Sequence, residues 1–581
     1  MHDYLKGVKS NFEKLPSIQI NSEIIKGWES ILAQLLTRED GVPVLAIECY
    51  IGVDIDELSS VFADKYTVLI TSTFFKSNQE VEAMTYPDVT DDEVFGFITR
   101  LNMIDFFDGE KIKVAQNRIA GVSGPVIVIG PGALLIAPFA DVKVYADMAR
   151  WEIQKRMKAN KVDGLGVISK TMPFGHQYKR GFFVDWRVCD KHKKDWFLKC
   201  DYLLDTNKSG EPKLVEMSAM KKGFEQAVQQ PFSVVPFFDP GPWGGQWMKQ
   251  VCNLEESDAP NHAWCFNCVP EENSILFRIN DEYIELPAIN LVFFQSKELL
   301  GDAVEARFGK EFPIRFDFLD TMDGGNLSLQ VHPDTTYIQE NFGMNYTQDE
   351  SYYLLDAEQD SFVYLGLKEN ADFDEMLNEL RQAQDINGYF DADKYINKFP
   401  ARKHDHFLIP AGTIHCSGKN SMVLEISATP YIFTFKMWDW DRLGLDGKPR
   451  AINIAHAGNV VDTTRDIHYV KKELINQIKK IDEGDGWIEE RTGLHRREFI
   501  ETRRFWFSKP VTHHANGSVN VLMLVEGREA IVESPEMLFM PFIVHYAEAF
   551  IIPAAIKSYR ISPYGESKGK RIAVIKAYVR T

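Results

Sequence analysis

A chain of 581 residues with 65 Lys and Arg against 84 Asp and Glu carries a formal charge of −19, and so acidic a surface repels phosphate backbones, which argues against nucleic-acid binding as its main role. Hydrophobic residues at 45%, charged residues at 26% and no apolar run near the roughly 18 residues that cross a membrane read as a globular protein off the membrane, of roughly three to four domains. Seven thinly spread cysteines and the start MHDYLKGVKSNFEKLPS, without the apolar core of a secretory signal, predict a reducing, cytoplasmic setting.

In the first 200 residues, apolar β-branched runs at 42–50, 67–71, 126–129 and 142–145 alternate with helical periodicity at 54–63 and 147–157. Strands separated by helices predict a mostly parallel, doubly wound α/β domain over 1–200. From about residue 230, short strand-like runs broken by Pro, Gly, Asn and Asp predict antiparallel β-structure. Helical insertions are expected at 372–384, followed by the turn signal Asn387-Gly388, and at 469–481, bridging two β units. Residues 408–415 (LIPAGTIH) read faintly against 551–558 (IIPAAIKS). Two related β-barrels in tandem explain that repeat, the first over 201–480 and the second over 481–581. The predicted class is therefore multidomain, an α/β doubly wound domain followed by an all-β double barrel with helical insertions.

The most informative stretch is LSLQVHPD at 327–334. Gln330 and His332 stand two apart in a strand-like run, so their side chains leave the same face. Glu350 opens another strand-like run, and His415 follows a Pro-Ala-Gly turn. Two His, a Gln and a Glu at strand ends suit a borderline divalent ion such as Zn²⁺ with an open position for substrate, although a chance scatter of His and Glu over 581 residues yields such sets as well. Three other signals read blandly. Cys265-x-x-Cys268 lies in a period-2 run that suggests an ordinary strand, His513-His514 precedes a turn signal and is expected in solvent, and the basic run 191–194 (KHKK) is expected on a solvated face.

Several blocks then fall in a familiar order: Gly241-Pro-Trp-Gly-Gly245; LSLQVHPD; Glu350 through Ala357 with Tyr364-Leu-Gly366; IPAGTIH at 409–415; Leu424-Glu425-Ile426; and WDWDRLGLDGKPR at 438–450. Together they resemble the type I mannose-6-phosphate isomerases, zinc-dependent enzymes of the cupin superfamily, over roughly 60% of the chain. The resemblance implies one zinc held by Gln330, His332, Glu350 and His415, and a second, metal-free cupin barrel, since Ser558 stands where the first repeat has His415. It implies interconversion of mannose 6-phosphate and fructose 6-phosphate by proton transfer through a cis-enediol, with Lys436 and Glu425 as catalytic candidates. Glu425 reads equally as a structural carboxylate bonded to a neighbouring strand.

The chain departs from the family where substrate charge is met. Gln348 stands where bacterial relatives carry Lys, Lys436 where they carry Arg, and Asp317 where they carry Lys, with Arg315 two residues away. Lys and Arg differ in fork-shaped phosphate recognition, so an isomerase of another, possibly unphosphorylated, sugar and a non-catalytic sugar-binding or regulatory protein stand as alternatives. Arg315, Lys419, Lys436 and Arg442 are the cations expected to decide among them.

The N-terminal region resembles P-loop nucleoside kinases of the uridine kinase type, through the strand at 44–50, the strand at 125–129 with Gly130, and the run 139–147 leading to Arg150 and Arg156. A working P-loop needs GxxxxGK[ST]. Residues 50–57 read YIGVDIDE instead, keep only Gly52, and place Asp54, Asp56 and Glu57 where a triphosphate would lie. The resemblance implies a degenerate kinase.

Overall fold

The structure, a computed structural model, describes residues 9–36, 44–385, 388–428, 433–445, 447–448, 450–493 and 495–580. Val42, Pro43 and Asn387 of the predicted elements, and Asp446 and Pro449 of the 438–450 block, lie outside the described residues.

The N-terminal sheet has five parallel strands. In chain order they are Val44–Cys49, Thr67–Ile70, Val126–Gly130, Val142–Asp147 and Tyr202–Asp205, and across the sheet they lie fifth, fourth, first, third, second. Val126–Gly130 is buried at every position, as expected of a strand covered on both faces. Lys213–Glu216 and Ile25–Lys26 extend the sheet antiparallel. The expected boundary at residue 200 thus falls inside this sheet, which runs on to Glu216 with the helix Met217–Ala227 behind it. Four-residue strands next to a basic helix carry too little periodicity to be read from sequence.

The basic run corrects one expectation. In the helix Trp186–Trp196, Lys193 is 1% exposed. Its ammonium bonds both Asp147 oxygens at 2.9 and 3.0 Å and Asn290 at 3.1 Å, with the Tyr50 ring 4.1 Å away. Two positions of the run turn inward: Lys193, because Asp147 ends the fourth parallel strand directly beneath it, and His192, which is 3.1 Å from Glu48.

Apart from the hairpin Ser274–Ile279 and Glu282–Pro287, which pairs with Ser17–Gln19, the strands of the middle region form two sheets. The larger runs His406–Ile409, Glu350–Ala357, Ser421–Ser427, Arg315–Asp320, Trp264–Cys268, Phe237–Asp239. The smaller runs Ile396–Pro400, Phe362–Leu367, His415–Ser417, Leu329–Val331, Phe435–Trp438. The predicted helical insertion is present as Phe373–Asp385. The second one is shorter than expected. Helical turns over Ile467–Tyr469 and Val470–Leu474 stop before Asn476, which sits in the left-handed region at φ 48°, and Lys479–Gly484 is an exposed edge strand.

The C-terminal region is another pair of sheets, of six and four strands, closed over an apolar core that includes Phe505, Leu524, Val532 and Ile561. Within it His513 is 3% exposed and stacked on Tyr559, whereas His514 is exposed. The expectation of a solvated pair fails at His513 because Val511–His514 is a strand, and a strand sends alternate side chains inward. Cys265 and Cys268 are buried free thiols in an ordinary strand. The α/β layer meets the middle region through Trp151, bonded to Glu285 at 2.6 Å, and through Gln154 and Tyr178, bonded to Glu272 at 2.5 and 2.7 Å. Among the described residues no helix is long and apolar enough to cross a membrane.

Candidate active site

Three elements deliver the predicted ligands to one point between the two middle sheets. Leu329–Val331 carries Gln330 and runs directly into His332, and Gln330 pairs across the smaller sheet with His415 on one side and Lys436 on the other. Glu350 begins its strand in the facing sheet. His415 is aimed by the Pro-Ala-Gly turn, in which Gly412 adopts φ +88° and donates its N–H to the His332 carbonyl at 2.8 Å. Ala411 N–H is fixed in turn by the Asp349 carboxylate at 2.8 Å.

His332 Nε2 lies 3.1 Å from one oxygen of Glu350, and His415 Nε2 lies 2.9 Å from the other. The Gln330 amide is 3.1 Å from His415 Nε2. His332, Glu350 and His415 form a buried group whose ligand atoms all lie within 4.8 Å of one another.

The tautomers follow from the other ring nitrogens. His332 Nδ1 is 2.8 Å from the Phe433 carbonyl and His415 Nδ1 is 2.9 Å from the Thr413 carbonyl, and a carbonyl only accepts, so both protons sit on Nδ1. A ring protonated on Nδ1 alone points its Nε2 lone pair at the carboxylate, whereas a ring protonated on both nitrogens itself supplies the positive charge that Glu350 faces. Acceptors facing acceptors in a buried site repel unless a cation lies between them, and His332 Nε2 and Glu350 Oε1 have no hydrogen-bond partner of good geometry. Two imidazoles oriented by backbone carbonyls and one carboxylate are a donor set that fits zinc.

The electrostatics agree with a cation-seeking centre. Burial disfavours ionisation of Glu350, but the two imidazoles outweigh it and hold its carboxyl well below the usual range. Burial likewise opposes charging His332, and Glu350 more than compensates, so its proton affinity is raised.

A cavity of about 190 Å³ opens beside this centre, and Gln330, Gln348, Asp317, Glu425 and Lys436 line it. Gln348 donates to Glu350 at 2.9 Å and accepts from Phe433 N–H at 3.1 Å, so the residue standing in place of a lysine is built into the support of the ligand set. Glu425 sits between Tyr352 and Asp317 in the register of the larger sheet. Its proton affinity is raised well above the usual carboxylate range by burial, then by the neighbouring Glu350 and Asp317. Asp317 is raised as well, by burial, with Arg315 at 3.3 Å opposing.

Lys436 lines the cavity without an ion pair among the described residues, and its ammonium is pushed down to about 8, by burial first and then by Arg450. Arg450 also lines the cavity, but its guanidinium is tied to Asp439 at 2.9 Å. Of the other expected cations, Arg315 is buried beside Asp317, Lys419 pairs with Asp360 on the surface, and Arg442 is bound to Asp439. Sequence reasoning overlooked Trp264 and Phe266, which form one wall of the cavity. The signal was present in WCFNC, where alternation sends Cys265 into the core and its neighbours the other way.

A family model described as a domain of unknown function, DUF8485, matches residues 27–229, close to the extent of the α/β layer. The chain is similar to the mannose-6-phosphate isomerase of Streptococcus mutans, 27% identical over 220 residues that make up 38% of this chain and 64% of the relative. It is also similar to mannose-6-phosphate isomerase ManA of Bacillus subtilis, 24% identical over 253 residues, 43% of this chain and 74% of the relative. The match thus spans less than two thirds of the length of the Streptococcus relative. The crystal structure of the mannose 6-phosphate isomerase from Bacillus subtilis aligns with a TM-score of 0.48 at 18% identity, covering 60% of this chain and 99% of that one.

Proposed function

We propose that the chain is a zinc-dependent aldose–ketose isomerase that interconverts mannose 6-phosphate and fructose 6-phosphate. In this reading its middle and C-terminal sheets are two cupin barrels and its α/β layer is a degenerate P-loop-kinase-like domain. One observation carries the catalytic reading: the buried cluster of His332, Glu350 and His415, with Gln330 beside it, adjoins a cavity whose wall holds both a free ammonium, Lys436, and a carboxyl of raised proton affinity, Glu425. The similarity to proteins named mannose-6-phosphate isomerase supports the substrate.

Gln330, His332, Glu350 and His415 would hold the zinc, and the ion when bound supplies Lewis-acid polarisation of the sugar oxygens. Glu425 in its ionised form takes the proton from C2 of the open-chain aldose, and the hydroxyl proton of the C2 oxygen is shared with the C1 oxygen of the resulting cis-enediol. The same carboxyl then returns its proton to C1 while the hydroxyl proton passes wholly from the C2 oxygen to the C1 oxygen, leaving the ketose. Lys436 holds positive charge against the oxygen that becomes anionic in each half-reaction. Trp264 and Phe266 narrow the cavity and limit water at the reacting carbons.

A second reading, an isomerase of an unphosphorylated sugar, is favoured by Asp317. One of its carboxylate oxygens has no hydrogen-bond partner and its side chain lines the same cavity, where it suits a sugar hydroxyl and repels a phosphate. A coupled assay of the zinc-loaded protein separates the two. The proposal expects fructose 6-phosphate to appear from mannose 6-phosphate, and activity to be lost on chelation and restored by zinc. Faster turnover of free mannose transfers the assignment to the second reading, and zinc-loaded protein that turns over neither sugar refutes both.

A further inference from the structure

A large cavity lies at the carboxyl edge of the parallel sheet, away from the zinc-ligand candidates. It measures about 780 Å³, and segments following each of the five parallel strands contribute to it. Ligands of open α/β sheets bind in this crevice, where the strand order reverses. The volume is within the range of small-molecule sites, about 300–1,000 Å³.

Its chemistry excludes the phosphate cradle that such a position often provides. Gly52 is turned against the helix Arg150–Lys158, a Cβ there would lie 2.9 Å from Ile153, and its carbonyl is taken by Arg156 at 3.0 Å. In the first turn of the helix Ile55–Ala63, the Glu57 N–H is already taken by the Asp54 side chain at 2.9 Å. With Asp54 and Asp56 on this side, an anion is repelled from the helix entrance.

The opposite wall has the other sign. Lys76 follows the second parallel strand, and Lys161 and Lys170 belong to the loop after Arg150–Lys158. Ile168 N–H donates to the Asn78 side chain at 2.8 Å, which joins those two segments into one surface. Lys170 faces Asp163 at 3.4 Å, Lys76 is bonded to the Asp105 carbonyl at 2.7 Å, and Lys161 makes no ion pair among the described residues. Carboxylates on one wall accept hydroxyl hydrogens; ammonium groups on the other attract an anion.

We propose that this cleft is a second ligand site, for a phosphorylated polyol of sugar-phosphate size, with the hydroxyls on Asp54 and Asp56 and the phosphate on Lys76, Lys161 and Lys170. The site stands independently of the chemistry assigned to the barrel.

Isothermal titration of the full chain with fructose 6-phosphate, fructose and inorganic phosphate tests it. Lys161→Glu/Lys170→Glu alters two exposed side chains, so the fold is retained. The wild type is expected to bind fructose 6-phosphate at the cleft, and the double variant to lose that binding by about tenfold or more. Hydrogen exchange should slow over residues 50–56 and 160–170 when fructose 6-phosphate is added, in the wild type only. If Lys436→Met abolishes a second binding event and leaves the first, both sites stand; if the wild type binds only once and only the double variant loses it, the cleft stands and the barrel assignment fails. Identical isotherms for wild type and double variant overturn the proposal. So does inorganic phosphate or fructose binding the cleft as tightly as fructose 6-phosphate, because the two walls would not then be acting together.

Discussion

Replacing Lys436 by Met removes the ammonium and keeps most of the stem that fills its place in the smaller sheet. A unit charge about 4 Å from a developing oxyanion at an effective dielectric of about 20 contributes about 4 kcal/mol. Solvent admitted by the open cavity restores part of this, so the expected loss is about 2.7 kcal/mol, or ~10²-fold in kcat/KM. The titration adds a signature. Burial and Arg450 hold the Lys436 ammonium down to about 8, so the charge is present below that pH and lost as pH rises through it. Activity should therefore fall above about pH 8, and Lys436→Arg should shift that limb beyond the assay range because a guanidinium stays protonated. The stability contribution of the same group has the opposite sign. Its folded affinity for a proton is below the unfolded one, so this term raises stability as pH climbs from about 8 toward the ordinary lysine range, and unfolding through Lys436 cannot produce the limb. Steady-state kinetics from pH 6 to 9.5 measures both effects. Lys436→Met within about threefold of the wild type, or an unmoved limb in Lys436→Arg, would refute the role.

Three further outcomes follow from the same geometry. Elemental analysis after dialysis should find about one zinc per wild-type chain and little in His332→Ala, since Gln330, Glu350 and His415 would then offer a single imidazole; retention of metal by His332→Ala would remove the ligand assignment. Lys193→Met leaves Asp147 buried and uncompensated, for an expected cost of about 3–5 kcal/mol, visible as a clear drop in the melting temperature; an unchanged melting curve would contradict the ion pair. Incubation with Mg-ATP and nucleosides or sugars should yield no phosphorylated product, because the loop at 50–57 has neither lysine nor open glycine backbone for a triphosphate, and turnover would show both supplied from elsewhere.

Much of the site was legible in the chain itself, because its parts are local. Gln330 and His332 are two residues apart on a strand, and a period of two puts them on one face wherever the strand goes. The Pro-Ala-Gly turn before His415 is dictated by residue chemistry, and so is the doubly wound order of apolar strands and helices in the first half. What no sequence pattern contains is the pairing of distant strands. Asp317 reads as a lost cation until the larger sheet sets it opposite Glu425 and beside Arg315, where its meaning becomes one of charge balance in a small cavity. Gln348 likewise reads as a missing lysine until its amide is seen holding Glu350. The inward turn of Lys193 and His513, and the opposed acidic and basic walls at the carboxyl edge of the parallel sheet, depend on which surfaces meet. Spacing along the chain decides which side chains share a face; only the packing of sheets and helices, through contacts between residues hundreds of positions apart, decides what that face confronts.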